Sequence, residues 1–143
     1  MDPSDEIHRS FGRLFDSWLV NTRSVAARID PELGYNGLII LSWLTYRESA
    51  RLTDVADQFG VGKGTMSRQL AALEERRHVV RQACVDDGRT VLFSVTPSTK
   101  EAIARARSDD WAWRKDALSH WDPDELALLA QLLKRITDLE ESR

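Results

Sequence analysis

Residues 63–68 combine short polar side chains with two basic ones and contain no acidic residue. The candidates for chemistry in this segment are Lys63, Gly64, Thr65, Ser67 and Arg68. A guanidinium such as that of Arg68 can donate two parallel hydrogen bonds to O6 and N7 of guanine, and the hydroxyls of Thr65 and Ser67 can reach phosphates or base edges. These residue types suit contact with the major groove of DNA, although an ordinary solvent-facing turn of a helix would contain the same types.

The residues around this segment predict a helix-turn-helix over residues 52–71. Small residues are needed where two helices cross steeply, and Ala56 and Gly60 stand at the close-packing position and at the turn. A helix that begins at Lys63 would turn Met66 inward, together with the leucines that follow it at helical spacing. That packing leaves the polar residues on the outer face, as a recognition helix in a major groove requires.

A further candidate, Arg89, lies in a turn between two segments of alternating apolar residues. The segments 79–85 and 91–95 have the period of two that indicates strands, and the Asp-Gly pair between them favours a tight turn. We therefore predict a β-hairpin, or wing, with Arg89 near its tip, where it can enter the neighbouring minor groove or hold its backbone. Asp87 is expected to orient the Arg89 guanidinium through a salt bridge.

The rest of the chain is predicted to be helical. Apolar residues recur at spacings of three and four from Ile7 to Ile29, the pattern of an amphipathic helix of about six turns. The segment 38–44 is almost entirely apolar, which predicts a buried helix. Further helix starts are predicted at capping side chains, namely Thr53, Thr96 before Pro97, and Asp122 before Pro123. The expected fold class is mainly α with a small β-wing, a winged helix-turn-helix.

The composition fits one folded domain that needs neither a metal nor a disulfide. The chain has 143 residues, of which 42% are apolar and 30% charged. Its net charge of −3 argues against broad binding to nucleic acid, but residues 51–100 carry a surplus of +2 against −2 in residues 1–50 and −3 in residues 101–143. The acidic first residues and the lack of a long apolar run predict a cytoplasmic protein without a signal peptide or a membrane span.

No catalytic site, metal site or cofactor is predicted. Residues 60–65 look like a phosphate-binding loop, but that pattern would need glycine at Asp57 and a hydroxyl at Gly64. The three histidines are too scattered in sequence for a zinc site. Cys84, the single cysteine, is either an inert strand residue or a redox-sensitive thiol. We therefore expect a binding protein and not an enzyme.

Taken together, these segments resemble the MarR family of bacterial transcriptional regulators over nearly the whole chain. The segments that carry the resemblance are 52–56, 61–68, 73–74, 79–81, 86–89 and 94–96. The most specific of them is the Asp-x-Arg pair of the wing, Asp87 and Arg89, seven residues before a threonine that opens a helix. The resemblance implies a wing pair at those two positions. It implies recognition-helix contacts to double-stranded DNA from Lys63, Thr65, Ser67 and Arg68.

The resemblance also implies a homodimer that binds a pseudo-palindromic operator, most often as a repressor. Residues 1–143 would form a single domain, in which 5–30 and 97–141 are dimerisation helices and 34–96 form the DNA-binding part. Two apolar stripes on the last helix independently predict a partner surface, because one small core needs fewer apolar residues.

Members of the family often bind aromatic acids between these two parts. The candidate residues for a small aromatic or phenolic effector are Trp18, Trp43, Arg47 and Trp113. Indole rings can stack on such a ligand while a guanidinium meets its carboxylate, and core packing is the alternative role for the tryptophans. A second function stays open, that of a winged-helix protein-interaction module that no longer binds DNA.

Overall fold

The computed structural model describes residues 2–143. The helices are α1 (Pro3–Ile29), α2 (Gly34–Arg47), α3 (Leu52–Phe59), α4 (Lys63–Glu75), α5 (Pro97–Leu118) and α6 (Pro123–Glu141). The strands are β1 (Ala50–Arg51), β2 (Val79–Ala83) and β3 (Val91–Val95). The predicted fold class, mainly α with a small wing, is confirmed. The chain divides into two compact units, residues up to 106 and residues 107–143, and the boundary falls within α5.

The core of the first unit is built from α2, α3, α4 and the sheet, together with Val25 and Ala26 of α1 and Ile103 and Ala106 of α5. Its largest fully buried side chains are Leu41, Leu44, Val55, Met66, Leu70 and Val79. Each fully buried large apolar side chain stabilises the fold by roughly 1.5–3 kcal/mol. The predicted burial of α2 is confirmed, because Leu41 and Leu44 of that helix have no exposed surface.

The first helix follows its sequence pattern and extends beyond it. Asp2 caps α1 by accepting a hydrogen bond from the amide of Ser4 at 3.1 Å, and Pro3 occupies the first turn. This cap explains why α1 begins four residues before Ile7. The helix ends at Asp30, whose amide donates to the carbonyl oxygen of the preceding turn, as predicted.

The sheet contains one strand more than the sequence predicted. The hairpin of β2 and β3 is confirmed as an antiparallel pair in which Val79 lies opposite Val95. On the other side of β3, the two residues of β1 add a third strand, with Ala50 opposite Phe93. A two-residue strand has no periodicity of its own, so the sequence pattern could not reveal it.

The three predicted helix starts have different outcomes. Asp122 caps α6 by accepting hydrogen bonds from two amides of the first turn, as predicted. The capping role predicted for Thr53 is wrong, because α3 already begins at Leu52 and has no side-chain cap. The start of α5 after Thr96 is confirmed, and the Thr96 hydroxyl donates to the carbonyl oxygen of Arg77 at 2.9 Å.

A polar cluster joins four elements of the first unit. We define the Asp30 cluster as Asp30 after α1, Arg76 after α4, His78 before β2 and Thr99 in the first turn of α5. Arg76 donates to both carboxylate oxygens of Asp30 through Nε and Nη2. His78 bridges Asp30 Oδ2 at 2.8 Å and Thr99 Oγ1 at 2.9 Å through its two ring nitrogens. The Arg76 hydrogen bonds hold the pKa of the Asp30 carboxyl well below its usual range.

The lowered pKa of Asp30 predicts a pH-dependent contribution to stability. A carboxylate whose pKa is lower in the folded than in the unfolded state stabilises the fold above the unfolded value of about 4, and that contribution is lost as the pH falls toward the folded value. We expect Asp30→Asn to reduce the free energy of unfolding at pH 7 by on the order of 2 kcal/mol. The deficit should narrow below about pH 4 in urea unfolding at fixed protein concentration.

Glu32→Gln is the matched control for this experiment. Glu32 accepts a hydrogen bond from the same Arg76 guanidinium, but its side chain is 73% exposed. Its replacement should change the free energy of unfolding by less than about 1 kcal/mol. A deficit of Asp30→Asn that stays constant from pH 7 to pH 3 would contradict the assigned role of the carboxylate.

Candidate nucleic-acid interface

Helices α3 and α4 form the predicted helix-turn-helix. Ala56 of α3 is 1% exposed, as expected for the close-packing position. Gly60 ends α3 with a positive φ of 63°, a conformation that glycine adopts without steric cost. The amide of Val61 then donates to the carbonyl oxygen of Ala56 at 3.1 Å, which closes the turn before α4 begins at Lys63.

The outer face of α4 carries all the residues that the sequence predicted for it. Met66 and Leu70 are fully buried on the inner face. Because these side chains point inward, the opposite face is exposed, and it contains Gly64, Thr65, Ser67, Arg68 and Ala71. Lys63, the first residue of α4, is exposed as well. The first turn of α4 has no acidic residue, and Gly62 at the cap adds no side chain there. The positive end of the helix dipole therefore faces solvent without a negative neighbour on α4.

Asp87 shapes the turn of the wing. Its carboxylate accepts hydrogen bonds from the amide of Arg89 at 3.0 Å and from the hydroxyl of Thr90 at 2.8 Å. These two bonds, that of Thr90 first, lower the pKa of the Asp87 carboxyl. The predicted salt bridge to the Arg89 guanidinium does not occur among residues 2–143, because the carboxylate is bound to the turn that presents Arg89.

An arginine-lined cleft of about 450 Å³ lies between the start of α3, α4 and the wing. We define the arginine cleft by its lining residues, Arg51, Leu52, Thr53, Ser67, Arg81, Arg89, Thr90, Val91 and Phe93. Ser67 belongs to the outer face of α4 and Arg89 to the turn of the wing. The cleft therefore joins the two surfaces that the sequence predicted separately.

Two of the three arginines of this cleft, Arg81 and Arg51, interact with acidic residues near them. Arg81 donates to Glu74 at 2.7 Å, and its guanidinium lies 5.4 Å from the centre of the Phe93 ring. Arg51 lies in β1, close enough to Asp87 to lower the pKa of that carboxyl further. A cleft with three guanidinium groups and three hydroxyl side chains is suited to bind an anionic oxygen such as that of a phosphate.

Sequence reasoning missed Arg51, Arg81 and Thr53 as members of this surface. The surplus of basic residues in residues 51–100 includes Arg51 and Arg81. The charge of these two arginines was therefore part of the prediction, but their position beside α4 and the wing was not. Arg51 reaches the cleft because β1 pairs with β3, with Arg51 opposite Leu92. Arg81 of β2 lies opposite Phe93 of β3. The register of the predicted hairpin was the signal in the sequence that could have placed Arg81 beside the cleft.

The residues predicted for an effector lie in separate clusters. The guanidinium of Arg47 stacks on the ring of Trp43 at 4.7 Å, and Trp43 meets Phe59 edge to face. Trp18 instead contacts Tyr35 and Phe15, with ring centres 6.1 and 6.3 Å apart, respectively. Trp113 lies in the unit of residues 107–143 and is 70% exposed. The effector site remains a prediction.

The structure also describes the single cysteine, the possible metal ligands and the lengths of the apolar helices. Cys84 follows β2 and is partly exposed, and its amide donates to the carbonyl oxygen of Thr90 at 2.7 Å. In the part of the chain that the structure describes, no three side chains of the metal-binding types come together in a group that could hold an ion. Within the same residues, no helix is both long and apolar enough to cross a membrane.

Comparison with known proteins gives the same fold and the same central segment. Residues 36–90 match the model of the MarR family. The chain is 30% identical over 87 residues to a curated relative, the uncharacterized HTH-type transcriptional regulator YxaD of Bacillus subtilis, and the aligned part spans 61% of each chain. RV1404 of Mycobacterium tuberculosis has a similar structure, with a TM-score of 0.85 and 15% identity over 96% of this chain and 94% of that one.

FabT of Streptococcus pneumoniae, solved in complex with DNA, is a second similar structure. Its TM-score is 0.79 and its identity 15%, over 97% of this chain and 98% of that one. At this level of identity the likeness concerns the fold alone, the winged helix-turn-helix with its flanking helices. The chain is therefore similar to the MarR family over residues 36–90, which cover the helix-turn-helix and the start of the wing, and it has the same fold as these structures over nearly its full length.

Proposed function

We propose that the protein is a sequence-specific DNA-binding transcriptional regulator that binds a pseudo-palindromic operator as a homodimer. The observation that carries the proposal is the arginine cleft, in which Ser67 of α4 and Arg89 of the wing line one surface with two more arginines. A helix in the major groove and a wing beside it must contact one continuous stretch of phosphates, and this cleft provides that continuity.

The roles of the side chains follow from their positions. Arg68, on the outer face of α4, reads a guanine edge, while Thr65 and Ser67 bind nearby phosphates or bases. Arg89 reaches the adjacent minor groove or its backbone. The net charge of −3 keeps nonspecific affinity low, so a few placed contacts must provide the discrimination. The match of residues 36–90 to the MarR family model and the similar fold of FabT, which was solved in complex with DNA, support this function over an enzymatic one.

A second copy of the chain is the proposed partner of the terminal helices. In α1, apolar side chains of one face are exposed, namely Ile7, Phe11, Leu14, Phe15 and Trp18. In α6 no residue is buried, and the exposed apolar side chains include Leu128, Leu132, Leu133 and Leu139. Contiguous apolar surface of this kind marks an interaction site, and dimerisation would cover it.

We further propose that the regulator represses its target and that a small aromatic acid releases it. Binding of the effector would change the spacing of the two recognition helices, and by reciprocity DNA would weaken binding of the effector. Arg47 on the ring of Trp43 offers the pairing of cation and aromatic surface that such a ligand needs. Trp18 and Trp113 remain the other candidates.

The proposed function is tested by selecting a binding site from a random-sequence duplex library and titrating it against a scrambled duplex. We expect preferential binding to the selected site, with an affinity that falls steeply as the salt concentration rises. Equal binding to both duplexes, or none, would favour the alternative of a protein-interaction module. Repeating the titration with benzoate or salicylate tests the effector.

Arg68 and Arg89 should differ in what their loss does to binding. We expect Arg68→Ala to cost about 1–3 kcal/mol per half-site at the selected operator and to relax specificity there. Arg89→Ala should weaken binding to all sequences alike and reduce the salt slope by about 1 per wing. Arg105→Ala, which removes a 70% exposed arginine of α5, is the control. Unchanged operator affinity in both variants would refute the assigned surface.

Substitutions of Asp87 and Asp86 distinguish the effect of the shape of the wing from the effect of its charge. Asp87→Ala and Asp86→Ala each remove one negative charge beside the wing, and that loss alone should strengthen binding to DNA. Asp87→Ala also removes the bonds to Arg89 and Thr90, so we expect it to weaken binding. Asp86→Ala should leave affinity unchanged or raise it. Equal effects of the two variants in fluorescence anisotropy titrations would show that the turn does not position Arg89.

Light scattering at micromolar concentration tests the dimer, with an expected mass of twice 16.3 kDa. Leu14→Glu should dissociate it, because Leu14 lies on the exposed apolar face of α1 and is 62% exposed. Val20→Glu is the matched control, since Val20 is 67% exposed but lies about 120° around the helix from Leu14. A monomeric wild-type protein, or dissociation by both variants alike, would contradict the proposed interface.

A further inference from the structure

The C-terminal end of α4 is fixed by the Asp30 cluster. Arg76 directly follows the last residue of α4, and its guanidinium donates two parallel hydrogen bonds to the Asp30 carboxylate. A bidentate pair of this kind fixes orientation as well as distance. The C-terminal end of α4 is therefore attached to the point where α1 ends.

The same carboxylate also fixes the wing. His78 immediately precedes β2, and its Nε2 lies 2.8 Å from Asp30 Oδ2. The side chains of Asp30 and His78 are only 9% and 10% exposed, so these polar groups cannot exchange their partners for bulk water. One buried carboxylate thus holds both the recognition helix and the first strand of the wing.

The length of α4 makes this attachment consequential for base contacts. At 1.5 Å per residue, its 13 residues span about 20 Å, so a swing of about 10° at Arg76 would move the residues near Lys63 by about 3 Å. A displacement of that size exceeds the tolerance of a hydrogen bond to a base edge. The alignment of the reading residues therefore depends on contacts at the opposite end of the helix.

We infer that Asp30 is a positioning residue for DNA recognition, which acts through Arg76 and His78 to hold α4 and the wing at fixed angles to α1. This inference rests on the proposed function. Asp30 is also the residue that ends α1, the helix whose exposed face is the proposed dimer surface. The Asp30 cluster therefore connects the helix that sets the distance between protomers to the helix that reads the bases.

We expect Asp30→Asn to weaken binding to the operator, although the loss of a negative charge alone should strengthen it. Asp30→Asn and Glu32→Gln each remove one negative charge, and both carboxylates bind the Arg76 guanidinium. Loss of negative charge should strengthen binding to DNA, and for the exposed Glu32 we expect unchanged or tighter binding. For Asp30→Asn we expect at least about a tenfold loss per half-site at the selected operator, comparable to loss of one base contact there. Binding to the scrambled duplex should not weaken.

Arg76→Gln and the double variant complete the test. Arg76→Gln leaves the buried Asp30 carboxylate with His78 as its remaining partner, whereas Arg76→Lys keeps a cation beside it, so the lysine variant keeps the test valid if Asp30→Asn or Arg76→Gln does not fold. We expect Arg76→Gln to lose operator affinity to a similar extent, Arg76→Lys to recover part of it, and the double variant to lose no more than either single variant. Anisotropy titrations below the unfolding transition of each variant provide the measurement.

The possible failures are distinguishable. If the wild-type protein discriminates between the duplexes while Asp30→Asn and Arg76→Gln bind the operator as Glu32→Gln does, the inference is overturned and the proposed function stands. If the wild-type protein does not discriminate, the proposed function fails and the inference fails with it. An additive double variant would also overturn the inference, because two residues that act through one contact cannot have independent effects.

Discussion

Burial of Met66 and Leu70 is the constraint on which the proposed interface depends. Both side chains have no exposed surface and belong to one core cluster with residues of α2 and α3. Because a helix repeats every 3.6 residues, fixing these two positions inward fixes Thr65, Ser67 and Arg68 outward. The apolar core therefore determines which side chains face a ligand, and the Asp30 cluster determines the angle at which they do so.

Charge and packing have complementary roles in the molecule. The chain is acidic overall, but its basic surplus lies in the third that contains the helix-turn-helix and the wing. Pairing of β1 with β3 gathers Arg51 beside Arg81 and Arg89 in one cleft. In the proposed function, long-range attraction to DNA would therefore be weak, and contacts of short range would decide where the protein binds.

The sequence predicted the features that depend on local pattern, and it missed those that depend on distant pairing. The turn at Gly60, the inner face of α4 and the hairpin follow from spacing within a few residues, and the structure agrees. In the Asp30 cluster, Asp30 contacts residues 46 and 48 positions further along the chain, and no local pattern predicts such contacts. The predicted salt bridge of Asp87 was wrong because a carboxylate two residues before an amide in a tight turn bonds the backbone first.

Protection of guanine N7 from methylation at the selected operator tests the central claim most directly, because it reports which groove α4 occupies. The account predicts two protected major-groove sites about 34–36 Å apart, one per protomer, with protection of a specific guanine lost in Arg68→Ala. Uniform reactivity across the duplex, or protection that is unaffected by loss of Arg68, would contradict the claim that the outer face of α4 reads the sequence.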